Sequence, residues 1–188
     1  MEEIRGRRRK KGRGRRFLLF LARLSAAVAA ALFVILYVFF RIPAAGGSME
    51  PAVSGGNFVF VCRIAYLFHA PERYDVVAFR DNGGISLKRI VGLPGETVTI
   101  SDGKIFINGT EQPEESAYLK NIDVAGRAGG SGVALGEDEY FVLGDNPSRS
   151  QDSRSETPGN VSRSDIIGDA WLSVDTSDLL PSFHLLIP

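Results

Sequence analysis

The sequence predicts a mainly β fold, an antiparallel β-sheet domain preceded by one N-terminal transmembrane helix, and three observations carry that prediction. After Pro43 the chain breaks into short runs rich in Val, Ile, Phe and Tyr, separated by Gly, Pro, Asn and Asp. Within them T-V-T-I-S-D-G-K-I-F-I-N, residues 97–108, alternates apolar and polar positions on both sides of Asp102-Gly103. Ahead of them lies a single long apolar run, 17–40, whose polar members are Arg23 and Ser25.

The length of 188 residues suits one domain. Its formal net charge of zero hides an asymmetry: residues 1–16 carry nine Lys or Arg against Glu2 and Glu3, a net +7, which leaves −7 for the rest. Such a basic run is a candidate for nucleic acid, but here it abuts the apolar stretch, so a membrane-flanking tail is the reading and no nucleic-acid partner is expected. As a helix, the apolar run would extend roughly 36 Å, enough for a bilayer core of about 30 Å. Arg23 lies near its basic end, where a long side chain reaches back to the headgroups. The positive charge before the helix predicts a cytoplasmic tail over 1–16, a single-pass anchor over 17–40 and an extracytoplasmic domain over 41–188, at the plasma membrane. A cleaved export signal is the rival, since Ala44, Ala45 and Gly46 imitate a cleavage site, but its apolar core is usually about 7 to 15 residues.

Strands are expected at 57–66, 75–80, 86–91, 97–100, 104–108, 139–143 and 166–174. Asp102-Gly103 predicts a type I′ hairpin turn, which needs positive φ at both central residues. The segment 121–136 holds five glycines and few large apolar residues and reads as a mobile surface loop. Pro181 closes the last strand region, and the tail S-F-H-L-L-I-P is too short to cross a membrane. Cys62, the single cysteine, excludes an internal disulfide and reads as a small core residue. His69 and His184 have no neighbouring cluster with metal-ligand spacing, so neither a metal nor a cofactor is expected.

Three segments carry candidate chemistry. Gly46-Gly47-Ser48-Met49-Glu50-Pro51 presents a serine on a turn between glycines and a stiffening proline. In Ser86-Leu87-Lys88-Arg89-Ile90-Val91, strand alternation puts Lys88 with Ser86 and Ile90, and Arg89 with Leu87 and Val91. Either both cations are solvated edge charges, or Lys88 sits in an apolar site where lost hydration lowers its pKa and lets it act as a general base. Gly144-Asp145-Asn146-Pro147-Ser148-Arg149-Ser150-Gln151-Asp152-Ser153-Arg154 follows a strand directly and reads as a hydrogen-bonded supporting shell or a plain polar loop.

With Y-D-V-V-A-F at 74–79, these segments resemble the ordered sequence boxes of bacterial type I signal peptidases, over most of 46–167 and the anchor before it. The resemblance implies the antiparallel β-sheet catalytic domain of that type. It also implies a membrane-bound serine endopeptidase that removes signal peptides from exported precursor proteins by cutting after small residues. By the same resemblance Ser48 matches the nucleophile, Lys88 the general base and Ser150 the hydroxyl that orients the lysine amine. Asp145, Asp152 and Arg154 match a supporting polar cluster, Met49 the residue packed beside the nucleophile, and backbone donors at Ser48 and Gly47 the oxyanion hole. Exported precursors and membrane lipid are the implied partners; the oligomeric state is left open.

Three positions depart from the family pattern: Pro51-Ala52-Val53 where Pro-Thr-Leu is common, Gly46 where some members have a serine, and Pro147 where Arg often follows G-D-N. A Ser-His-Asp triad would need His69, which stands in a loop-like F-H-A-P-E setting, so the Ser-Lys variant is preferred. A different Ser-Lys protease, of the self-cleaving repressor kind, and an inactive anchored binding domain remain the alternatives. Leu87, beside Lys88, is a candidate for the substrate pocket. Only seven residues separate Phe40 from Ser48, a reach of roughly 25 Å, which holds the serine close to the bilayer.

Overall fold

The computed structural model describes residues 2–113, 122, 125–175 and 181–186. The chain divides into two compact units, Met1–Phe39 and Phe40–Pro188. The first is a helix, α1 (Glu2–Phe33), continued by a π-helical turn over Val34–Val38. Within it Gly14–Phe33 is 20 residues long and apolar enough to cross a membrane. At 1.5 Å per residue that is about 30 Å, close to the thickness of a hydrocarbon core.

The helical boundary differs from the expected 17–40. Helix ends at Val38, and the first strand, β1 (Phe39–Pro43), takes over the end of the apolar run. Phe40 and Ile42 pack against the core of the second unit. Hydropathy alone cannot distinguish a side chain that faces lipid from one that faces a protein core, which is why the two merged into one segment.

Eight strands form the larger sheet: β1, β2 (Phe58–Cys62), β3 (Val76–Asp81), β4 (Gly84–Gly92), β9 (Glu139–Leu143), β10 (Val161–Ser162), β11 (Ile166–Asp175) and β12 (Ser182–Leu185). The order is β1-β2-β11-β3-β4-β9-β10, with β12 also paired to β11. A four-stranded sheet is built from β5 (Thr97–Ser101), β6 (Lys104–Ile107), β7 (Thr110–Glu111) and β8 (Val133–Ala134), in the order β7-β6-β5-β8. Each expected strand has its counterpart, although the 57–66 run is cut short at Cys62 by a 3-10 turn over Ala65–Leu67. At the β5–β6 hairpin Ser101 pairs with Lys104, and Asp102 and Gly103 have φ of 52° and 75°, the positive pair that a type I′ turn demands.

Strand β4 lies between β3 and β9 in the sheet, and from Leu87 to Gly92 every residue is buried. Both faces of this strand are therefore covered, unlike the one-sided pattern of an edge strand. One apolar cluster centres on Met49, Val53, Val59, Val76 and Leu87, another on Tyr66, Phe79, Ile90 and Val142. The four-stranded sheet packs Val98, Ile100 and Ile107 with Val91, Phe141 and Leu143 of β4 and β9.

The 121–136 segment is not the mobile surface loop expected from its glycines. Residues 121, 123 and 124 lie outside the described ones, but Ile122, Ala128, Val133 and Leu135 are buried in the last of these clusters, and β8 pairs with β5. Few large apolar residues suffice there because each of these four points inward.

Candidate active site

Ser48 and Lys88 stand 40 positions apart in sequence and meet at 3.0 Å, from Lys88 Nζ to Ser48 Oγ. Lys88 is 6% exposed, which excludes the reading of two solvated edge charges. Its Nζ also donates to the carbonyl oxygen of Leu87 at 3.1 Å. Burial lowers the Lys88 pKa, and the carboxylates of Asp152, Asp81 and Asp145 oppose that shift without cancelling it. A hydroxyl bonded to an amine biased toward its neutral form can pass its proton to that amine.

The neighbouring Arg89 is 1% exposed and fully paired. Its Nε and Nη2 each bond Asp145 at 2.8 Å, and its Nη1 donates to the Tyr74 carbonyl at 2.8 Å. Burial pushes the Asp145 carboxyl up, while the two bonds from Arg89 stabilise its charged form. Sequence reading matched Asp145 to the supporting cluster but left out its partner. Burial on both sides of β4, the property that reveals Arg89, belongs to sheet position rather than to local alternation.

The polar segment after β9 grips the serine turn through its backbone. Asn146 N–H donates to the Ser48 carbonyl at 3.0 Å, and Gly144 N–H donates to Asp152 Oδ2 at 3.1 Å. Arg154 holds Asp152 through Nε at 2.8 Å and Nη2 at 3.0 Å, and reaches the Pro147 carbonyl at 2.7 Å. A methyl group on Gly144 would come 2.5 Å from the Ser48 carbonyl oxygen and would collide with Ser150 Oγ, so a bare Cα is required where the segment crosses the turn. Gly126 is constrained in the same way: its φ is +55° and a side chain there would run into the Arg154 carbonyl oxygen, which accepts Arg127 N–H at 2.9 Å. The glycine-rich segment thus buttresses Arg154 from behind.

Ser150 departs from its expected part. Its Oγ is buried and, among the described residues, has no hydrogen-bond partner; the bonds of the lysine amine go to Ser48 and Leu87. Met49 is 4% exposed and packed in the cluster next to Ser48. Gly47 lies beneath the Arg149 guanidinium, which bonds Glu50 at 3.1 Å, a cross-link between the two segments that sequence reading did not anticipate. His69 packs edge-on against Tyr66, with Nδ1 on the Ala70 carbonyl, and takes no part in the contacts of Ser48.

Ser48, Ser86 and Lys88 line a cavity of about 220 Å3 together with apolar groups that include Ile42, Met49 and Leu87. It joins residues of β1 and β4, which lie far apart in the strand order, so the sheet coils back on itself to form it. Among the described residues, the Ser48 N–H has no acceptor and is available to an oxyanion. Among the described residues, no group of three or more His, Cys, Asp or Glu is arranged to hold a metal ion.

The model of the family described as signal peptidase, peptidase S26, matches residues 17–174. Signal peptidase I V of Bacillus subtilis (strain 168) is 31% identical over 141 residues, spanning 70% of this chain and 83% of that protein. Signal peptidase I of Bacillus licheniformis is 35% identical over 136 residues, 69% and 73% of the two chains. The signal peptidase I of Leptolyngbya laminosa is 35% identical over 133 residues, 65% of this chain and 62% of its own. A solved signal peptidase I from Enterococcus faecalis V583 is 35% identical and covers 53% of this chain and 95% of its own, with a TM-score of 0.43. A match of that extent, with relatives at these identities, means that the chain belongs to the signal peptidase family, peptidase S26, and is a serine peptidase of the signal peptidase kind.

Proposed function

We propose that the chain is a membrane-bound endopeptidase that removes N-terminal signal peptides from exported precursors, with Ser48 as nucleophile and Lys88 as general base. The observation that carries this reading is the 3.0 Å approach of Ser48 Oγ to a lysine amine that is 6% exposed and lowered in pKa by burial. Neutral Lys88 accepts the hydroxyl proton as Ser48 Oγ attacks the scissile carbonyl carbon. The Ser48 N–H, with the Gly47 backbone beside it, stabilises the oxyanion. Collapse of the tetrahedral intermediate breaks the C–N bond, and the Lys88 ammonium returns its proton to the leaving amine. Water, deprotonated by the same amine, then hydrolyses the acyl group on Ser48 and frees the signal peptide's carboxylate.

Asp145, Asp152 and Arg154 act through position: they hold the 144–150 segment that fixes the Ser48 carbonyl. The family resemblance is what gives Ser150 the part of orienting the amine; its hydroxyl has no hydrogen-bond partner among the described residues. The cavity beside Ser48 and Lys88 is where the side chains before the scissile bond would lie, and the family resemblance supplies the preference for small residues there. The helical segment Gly14–Phe33 serves as the anchor, the basic residues before it stay in the cytoplasm, and the domain from Phe40 faces outward at the plasma membrane.

The test is Ser48→Ala and Lys88→Ala in the full chain, reconstituted in liposomes and assayed on a precursor. Each variant should lose at least about a thousandfold in cleavage while keeping its circular dichroism spectrum. Full cleavage by either variant would sink the mechanism.

A further inference from the structure

The segment that follows β9 turns most of its charge inward. Asp145 bonds Arg89 and Asp152 bonds Arg154, and all four side chains are buried. Arg149, the remaining charged residue of 144–154, points outward, its side chain 61% exposed. Its backbone is nevertheless tied to the turn that carries Ser48. Arg149 N–H donates to the Asn146 carbonyl at 3.1 Å, and Asn146 N–H donates to the Ser48 carbonyl at 3.0 Å. A side chain on Gly47 would meet Arg149 Nη1 at 2.7 Å and Glu50 Oε1 at 2.8 Å. The pair therefore closes over the residue that precedes Ser48, and Gly47 is buried beneath it.

Two observations say what this cation meets. The first is its unused hydrogen-bonding capacity: Nη1 donates to Glu50 Oε2 at 3.1 Å, whereas Nε and Nη2 have no partner among the described residues. Those two atoms form the edge that grips a carboxylate in parallel, as the same edge of Arg89 grips Asp145. The second is place. Gly47, Glu50 and Arg149 do not line the cavity that Ser48 and Lys88 share with β1 and β4. With the residues before the scissile bond in that cavity, the residues after it leave Ser48 on the flank that the cavity does not occupy. Neighbouring Cα atoms are about 3.8 Å apart, so the first two residues past the bond come within reach of a guanidinium seated on Gly47.

We propose that Arg149 forms a binding subsite for a carboxylate side chain, Asp or Glu, at the first or second residue after the scissile bond, with Glu50 holding the guanidinium in place until substrate arrives. The inference rests on the endopeptidase reading above and adds to it a preference on the leaving side. Glu50 also repels the same carboxylate, so it limits how strong that preference is. Arg149 touches a side chain of the substrate and not the reacting carbonyl, so its contribution belongs to binding and appears in KM.

The experiment uses one precursor in three forms, with Asp, Asn or Lys at the first two residues of its mature part. The full chain is reconstituted in phosphatidylcholine liposomes, whose headgroups carry no net charge to compete for the guanidinium. The parent should cut the Asp form with a kcat/KM about fivefold above that of the Asn form, carried by KM, and the Lys form more slowly than either. Equal rates on the Asp and Asn forms overturn the subsite and leave the endopeptidase reading standing; no cleavage of any form overturns both. In Arg149→Gln the preference for Asp over Asn should vanish, and in Arg149→Glu it should reverse in favour of Lys. If Arg149 only braces the 144–150 segment, or acts on the reacting carbonyl, its loss slows all three forms alike and their ratios persist, which overturns the proposal. Glu50→Gln keeps Arg149 and decides the matter should the Arg149 variants fail to fold. Its preference for Asp should exceed the parent's, and a preference unchanged or weakened overturns the proposal.

Discussion

The two sides of β4 carry the same kind of charge at successive positions, and the fold treats them in opposite ways. On the side of Asp145, Arg89 is paired through two 2.8 Å bonds and a third to a carbonyl. On the side of Ser48, Lys88 is given a hydroxyl and a carbonyl, and the nearest carboxylates act on it only through space. A guanidinium cannot be neutralised at any pH a protein meets, so its burial requires a partner. An amine can surrender its proton, and burial without a partner is what makes it do so. One side holds its charge by pairing it, and the other disfavours its charge by burial.

The sharpest way to break this contrast is to put the wrong cation on the Ser48 side. Lys88→Arg keeps the charge and approximate length, yet should lose precursor cleavage as completely as Lys88→Ala, at least about a thousandfold, because an arginine cannot become neutral. Activity within tenfold of the parent would show that neutralisation is not what the site requires. On the other side, Arg89→Met strands a buried carboxylate and should cost about 3–5 kcal/mol in urea unfolding, whereas Arg89→Met with Asp145→Leu should recover most of it. If the double variant is as unstable as the single one, the pair does more than satisfy itself.

Gly144→Ala tests how the two segments meet. Its methyl would press on the Ser48 carbonyl oxygen, and if Ser48 is the nucleophile as proposed, its displacement by a fraction of an ångström should cost about a hundredfold in kcat with little change in KM. Equal changes in both would locate the damage elsewhere.

The smallest effect is in pH dependence. The unfolded chain protonates Lys88 near its ordinary value of 10.5, the folded chain at a lower pH, so between the two the unfolded state binds more protons. The cost of burying the ammonium is therefore fully present below the folded pKa and disappears as pH rises toward the unfolded one, so Lys88 contributes a stability that increases with pH. Lys88→Met should flatten that slope in urea titrations run across the alkaline range, and cleavage by the parent should fall as pH drops through the lowered pKa. A slope unchanged by Lys88→Met would mean the lysine is charged in both states.

Much of the strand layout could be read from the chain because alternation and turn chemistry are local. Asp102-Gly103 specifies its hairpin from two residues, and Asn108-Gly109, with φ of 51° and 79°, repeats the same device between β6 and β7, a turn that the sequence reading passed over. The short partners β8, β10 and β12 were not read, because two to four residues carry too little period and exist only by pairing with a longer strand. Ser48 and Lys88 were found through the order of their segments. Arg89 was passed over because its alternation is that of any strand and its burial depends on what covers the sheet.

What the sequence by itself determined is local: the apolar helix, the turns, the period of the strands, and a serine and a lysine in segments that resemble known ones. Only the tertiary structure decided that Phe40 belongs to a protein core rather than to lipid, that a glycine-rich stretch backs Arg154, that Ser150 has no partner among the described residues, and that both sides of β4 are covered. The physical reason is that hydration is lost to whatever packs on a residue from distant parts of the chain. The pKa of Lys88, on which the proposed chemistry turns, is set by that loss rather than by its neighbours in sequence.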